Sequence, residues 1–154
     1  PPPHAGFQLE AIDGSRAVRA PGPGRPMLVV FYLGFGCLHC VEQLQALRPH
    51  TGAFTALGID VLTIGTDDLA TMRNAHAALD GPMPFPMLAD PSLRAFRDWR
   101  CHDDFEDQPL HGTFLVDGDG RVRFQDVSHE PFVAFEWLLG ETARLLAFAP
   151  DRRN

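Results

Sequence analysis

The chain has 154 residues, of which 45% are hydrophobic and 21% charged, with 12 phenylalanines. That length fits one domain able to bury about two-thirds of its surface, and that composition excludes a disordered chain. Thirteen basic residues against twenty acidic ones leave a net charge of −7, which argues against a nucleic-acid partner; the longest apolar run, Met27 to Phe35, is too short to span a bilayer.

Three prolines open the chain and predict an extended lead-in over residues 1–6. Phe7, Leu9 and Ala11 alternate with polar residues as a half-buried strand does, and Asp13-Gly14 turns the chain towards a short return near Ala17-Val18. Ala20 to Pro26 is a Pro/Gly loop. Met27 to Leu33 is unbroken and largely β-branched or aromatic, which predicts a strand buried on both faces.

Gly34-Phe35-Gly36 ends that strand. Cys37, Cys40, Val41 and Leu44 then fall at helical spacing. Pro49 interrupts this helix and Gly58 ends it. Ile59 to Ile64 is a second apolar strand, and Asp67 and Asp68 open a helix whose stripe is Leu69, Met72 and Leu79. Met87-Leu88 is a short strand before a helix over Pro91 to Trp99. Arg100 to Gly112 shows no period and carries four acids. Thr113 to Val116, an Asp-Gly-Asp-Gly turn and Arg121 to Asp126 form a hairpin. A last helix is expected from Pro131 to about Phe148. This order predicts an α/β fold, a central mixed β-sheet with helices on both faces, over residues 7–148, followed by a tail over 149–154.

Three cysteines are too few for a disulfide framework. Cys37 falls where a central strand gives way to a helix, the end of an α/β sheet at which chemistry gathers. Unpaired N–H groups and the positive helix end favour a thiolate there. Cys40 follows one turn later, about 5–6 Å away by helical geometry and within reach of a disulfide. Attack by Cys37 and resolution by Cys40 is the chemistry this spacing predicts. His39 either tunes the thiolate as an imidazolium or points to solvent, since adjacent helical positions do not face one another.

The run Phe31-Tyr32-Leu33-Gly34-Phe35-Gly36-Cys37-Leu38-His39-Cys40, the early Asp13-Gly14 and Gly112-Thr113-Phe114-Leu115-Val116-Asp117-Gly118-Asp119-Gly120 resemble a thioredoxin-fold redoxin. They are most similar to peroxiredoxin-like proteins of the alkyl hydroperoxide reductase/thiol-specific antioxidant family. The resemblance runs from about Gly6 to Ala147 and implies a thioredoxin-like fold and a thiol-dependent oxidoreductase needing no cofactor beyond its own redox-active disulfide. Its partner would be a protein disulfide or dithiol, or a peroxide.

Two departures qualify it. The family pattern Pro-x-x-x-Thr-x-x-Cys is met here by Val30 and Gly34, so the hydroxyl that orients peroxide is missing, and the Cys-x-x-Cys spacing resembles thioredoxin more closely. Where thioredoxin-like proteins carry a cis-proline and peroxiredoxins often an arginine, this chain has His111. The resemblance makes His111 a general base or cation partner for Cys37. In a second reading Cys37, Cys40 and His111 bind Cu(I), or Zn with a fourth ligand, in outline like the copper chaperones of cytochrome oxidase assembly. A third keeps the redoxin as an interaction module within a longer polypeptide, which a chain beginning at Pro1 allows.

Cys101 is read as a small inert side chain, with a resolving role for Cys37 as its alternative. The acidic run Asp103 to Asp107 is a solvated loop, or bears on partner choice or metal capture. His4, His50, His76 and His129 are read as surface residues, and Trp99 and Trp137 as core. The electron donor, the compartment and the oligomeric state stay open.

Overall fold

The computed structural model describes residues 3–36 and 38–147, apart from the side chains of residues 38–40 and 147. Its centre is the strand β3 (Met27–Tyr32), every residue of which is buried. β4 (Asp60–Gly65) and β5 (Met87–Ala89) follow in parallel register, Met27 opposite Asp60 and Thr63 opposite Met87. Beyond β5 lie β1 (Phe7–Ala11) and β2 (Arg16–Arg19), an antiparallel hairpin whose turn is fixed by the Asp13 carboxylate accepting from Ser15. On the other flank of β3, β8 (His111–Val116) and β9 (Val122–Ser128) form a second hairpin. The seven strands run β2-β1-β5-β4-β3-β8-β9.

The period-two alternation of β3 builds two cores. Leu28, Val30 and Tyr32 pack against α1 (Leu38–Leu47), α2 (Thr51–Ala56), α3 (Leu69–Ala77) and α5 (Phe135–Ala147) through Leu44, Phe54, Met72 and Leu138. Met27, Val29 and Phe31 face the other way, onto α4 (Arg94–Asp98) and Trp99. Each such side chain, fully buried, contributes about 1.5–3 kcal/mol. Helices therefore cover both faces, as the sequence predicts, and β3 is the strand both layers share.

Local signals set most boundaries. Pro49 cannot donate to the Gln45 carbonyl, so α1 gives way to a 3-10 turn over Arg48–His50 before α2 resumes. Gly58, at φ +81°, closes α2: its N–H donates to Thr55 and that of Ile59 to Phe54, the paired bonds of a left-handed helix stop. At the turn between β8 and β9, buried Asp117 accepts from Asp119 and Arg121 N–H and pairs with Arg123 at 2.9 Å.

Several expectations are corrected by contacts distant in sequence. The last helix begins at Phe135, not Pro131; the segment before it stays irregular, with the Phe132 carbonyl accepting from Gln43 of α1. Trp137 is 52% exposed rather than core. His4 is buried, its ring stacked on Trp99 and its N–H donated to the Gly120 carbonyl. The segment over 100–112 is ordered by a small hairpin, β6 (His102–Asp103) with β7 (Gln108–Pro109). Helix α4 is shorter than expected and starts from Leu93 at φ +64°. Among the described residues no helix is long and apolar enough to cross a membrane.

Candidate active site

The chain leaves β3 through residues 33–36 and enters α1 at Leu38. This connection is held by the one that follows β4. Thr66 Oγ1 donates to the Leu33 carbonyl at 2.6 Å, and Asp67 Oδ2 accepts from Phe35 N–H at 2.9 Å. Gly34, between them, sits at φ +111°, and a Cβ there would stand 2.9–3.1 Å from the Asp67 carboxylate atoms. A β-branched residue fits neither that backbone nor that space. The ring of Tyr32 lies over Gly65 of β4, where a Cβ would meet it at 2.6 Å, and Phe35 packs edge-on against Tyr32.

His111 approaches the same place from β8. The antiparallel register pairs Phe31 with Gly112, which brings His111, one residue on, level with Tyr32 at the strand end that feeds residues 33–36. His111 is 3% exposed and lies opposite Ser128 of β9. Strand alternation puts it on the face of Leu115, and Leu115 packs in the cluster that holds Leu44 and Leu47 of α1. A buried imidazole thus stands on the α1 side of the sheet, at the end where α1 begins. The strand begins at His111 rather than Thr113, and the expected facing of Cys37 by the imidazole involves a residue outside those described.

A family model described as the AhpC/TSA family matches residues 5–125. The chain belongs to the AhpC/TSA family. It is 30% identical over 125 residues to a Mycobacterium tuberculosis protein named as a peroxiredoxin, covering 75% of this chain and 76% of that one. To the chloroplastic peroxiredoxin Q of Oryza sativa subsp. japonica it is 28% identical over 141 residues, covering 91% of this chain and 63% of the relative. Among solved structures it resembles Enterococcus faecalis AhpC, with TM-score 0.80, 19% identity and coverage of 96% and 93%. It also resembles Mycobacterium tuberculosis BcpB, with TM-score 0.75, 18% identity and coverage of 96% of both chains. The fold is thioredoxin-like.

Within this AhpC/TSA frame, Cys37 lies outside the described residues, as do the side chains of His39 and Cys40, although both of these residues are in the first turn of α1. Cys101 is described fully. It is buried in the layer opposite α1, its thiol donating to the Trp99 carbonyl at 3.9 Å, and burial pushes its pKa far up. A Cβ on Gly112 would collide with its sulfur, so glycine there makes room for it. The inert reading of Cys101 is the one this placement supports.

The acidic run is a solvated loop, exposed from Asp104 to Asp107, with local internal order. Asp103 accepts from Phe105 and Glu106 N–H, and His102 stands between Asp104 at 2.7 Å and Asp107 at 3.2 Å. Among the described residues no group of three or more His, Cys, Asp or Glu could hold a metal; the Cu(I) or Zn set Cys37, Cys40 and His111 falls partly outside them. Sequence reasoning missed the roles of Thr66 and Asp67. The adjacent acids Asp67 and Asp68 read as a pair at a helix start, but only Asp68 caps α3, accepting from Thr71 N–H at 2.8 Å.

Proposed function

We propose that this AhpC/TSA-family chain is a thiol-dependent peroxidase in which Cys37 attacks and Cys40 resolves. The Cys37 thiolate attacks the terminal peroxide oxygen and the O–O bond breaks. The leaving alkoxide or hydroxide takes up a proton, and the sulfur becomes a sulfenic acid. The Cys40 thiol then displaces water to give the Cys37–Cys40 disulfide, and an external dithiol returns both sulfurs to thiols while being oxidised itself. His111 takes the Cys37 proton and, as an imidazolium, pairs with the thiolate. No metal or organic cofactor enters these steps.

The observation that supports this reading is the β3–β8 register, which sets buried His111 level with Tyr32 on the face covered by α1. Family membership favours peroxide as the oxidant over the protein disulfide that the Cys-x-x-Cys spacing brings to mind. The test is peroxide consumption with a small dithiol as reductant. Cys37→Ser is expected to abolish it. Cys40→Ser is expected to leave a sulfenic acid on Cys37 that dimedone traps. Undiminished turnover by Cys37→Ser would refute the assignment.

A further inference from the structure

The segment that delivers the chain to Cys37 is fixed by two consecutive residues of another connection. Thr66 holds the Leu33 carbonyl and Asp67 holds the Phe35 amide. Gly34 between them has the Asp67 carboxylate where its own side chain would be. A carboxylate accepting from a backbone N–H makes a strong, directional bond. Asp67 is not needed to start α3, because Asp68 supplies that cap.

We propose that Thr66 and Asp67 form a clamp on the connection over residues 33–36 that tunes the reactivity of the Cys37 thiol following it, Asp67 serving as a positioning residue. This rests on the reading of Cys37 as the nucleophile. Small displacements at a reacting group cost up to about 100-fold in rate, and a thiol moved off a helix start loses the N–H groups that acidify it. The clamp acts by hydrogen-bond geometry. An amide oxygen at position 67 preserves it and a methyl group does not.

The experiment measures iodoacetamide alkylation of the full-length protein against pH, read by mass spectrometry on the Cys37 peptide. Asp67→Ala and Thr66→Val are expected to move the Cys37 profile towards that of free cysteine, near pH 8.5, and to slow alkylation at pH 7 about 10-fold. Asp67→Asn stays within about 3-fold of the parent. Asp68→Ala lowers thermal stability and leaves the profile in place. Should Asp67→Ala not fold, Thr66→Val carries the test. A profile unmoved by either variant overturns the clamp, as does Asp67→Asn behaving like Asp67→Ala, or Asp68→Ala shifting the profile equally. A parent protein whose Cys37 already titrates like free cysteine instead sinks the reading of Cys37 as an activated nucleophile.

Discussion

Gly34→Thr writes the family's threonine back into position three residues before Cys37, and the structure says this fails. The backbone at Gly34 has φ +111°, where a β-branched residue costs about 1–3 kcal/mol. The new Cβ would stand 2.9 Å from the nearer Asp67 carboxylate oxygen, so the carboxylate must leave. Its bond to Phe35 N–H goes with it, about 1.5–3 kcal/mol for a charged acceptor. The sum, about 2.5–6 kcal/mol, is a large part of the roughly 5–15 kcal/mol that holds a domain folded. At roughly 2–4 °C per kcal/mol for a chain of this size, the midpoint should fall by about 5–24 °C. Urea and thermal unfolding followed by circular dichroism measure it. Gly34→Ala placed in an Asp67→Ala background isolates the backbone part, because the collision is then gone. Gly34→Thr unfolding within about 0.5 kcal/mol of the parent would refute the reasoning.

Two further outcomes are expected. Burial keeps the Cys101 thiol protonated well beyond the ordinary thiol range, whereas in the unfolded chain it ionises above about pH 8.5. The unfolded state thus holds fewer protons there, and stability falls as pH rises, with a slope approaching about 1.4 kcal/mol per pH unit. Cys101→Ala should remove that slope in urea titrations between pH 8 and 10 while leaving peroxide consumption unchanged. His111→Gln should lower peroxide turnover about 100-fold and raise the apparent pKa of Cys37 in stopped-flow pH profiles; unaltered kinetics would remove the imidazole from the mechanism.

What the sequence made legible was whatever depended on neighbours along the chain. β3 announced itself through an unbroken apolar run, and α2 through Gly58, where only glycine readily takes the backbone that stops the helix. His111 was singled out by the family resemblance, and the β3–β8 register brings its backbone level with Tyr32; Cys37 lies outside the described residues. The misreadings involve partners distant in sequence. Pro131 looked like a first helical residue, but the segment after it lends the Phe132 carbonyl to Gln43, 89 residues away. His4 looked exposed because nothing local covers it; Trp99 and Gly120 do. Asp67 was indistinguishable from Asp68 until β4 was laid beside β3 and its carboxylate met Phe35 across 32 positions.

The placement of Cys101 also bears on how oxidation stays orderly. A disulfide needs its two Cα atoms within about 7 Å. Cys101 is sealed behind Gly112 in the layer away from α1, so the β-sheet stands as a partition between it and the helix that carries Cys40. The Cys101 thiol is thereby screened from the α1 side of the sheet.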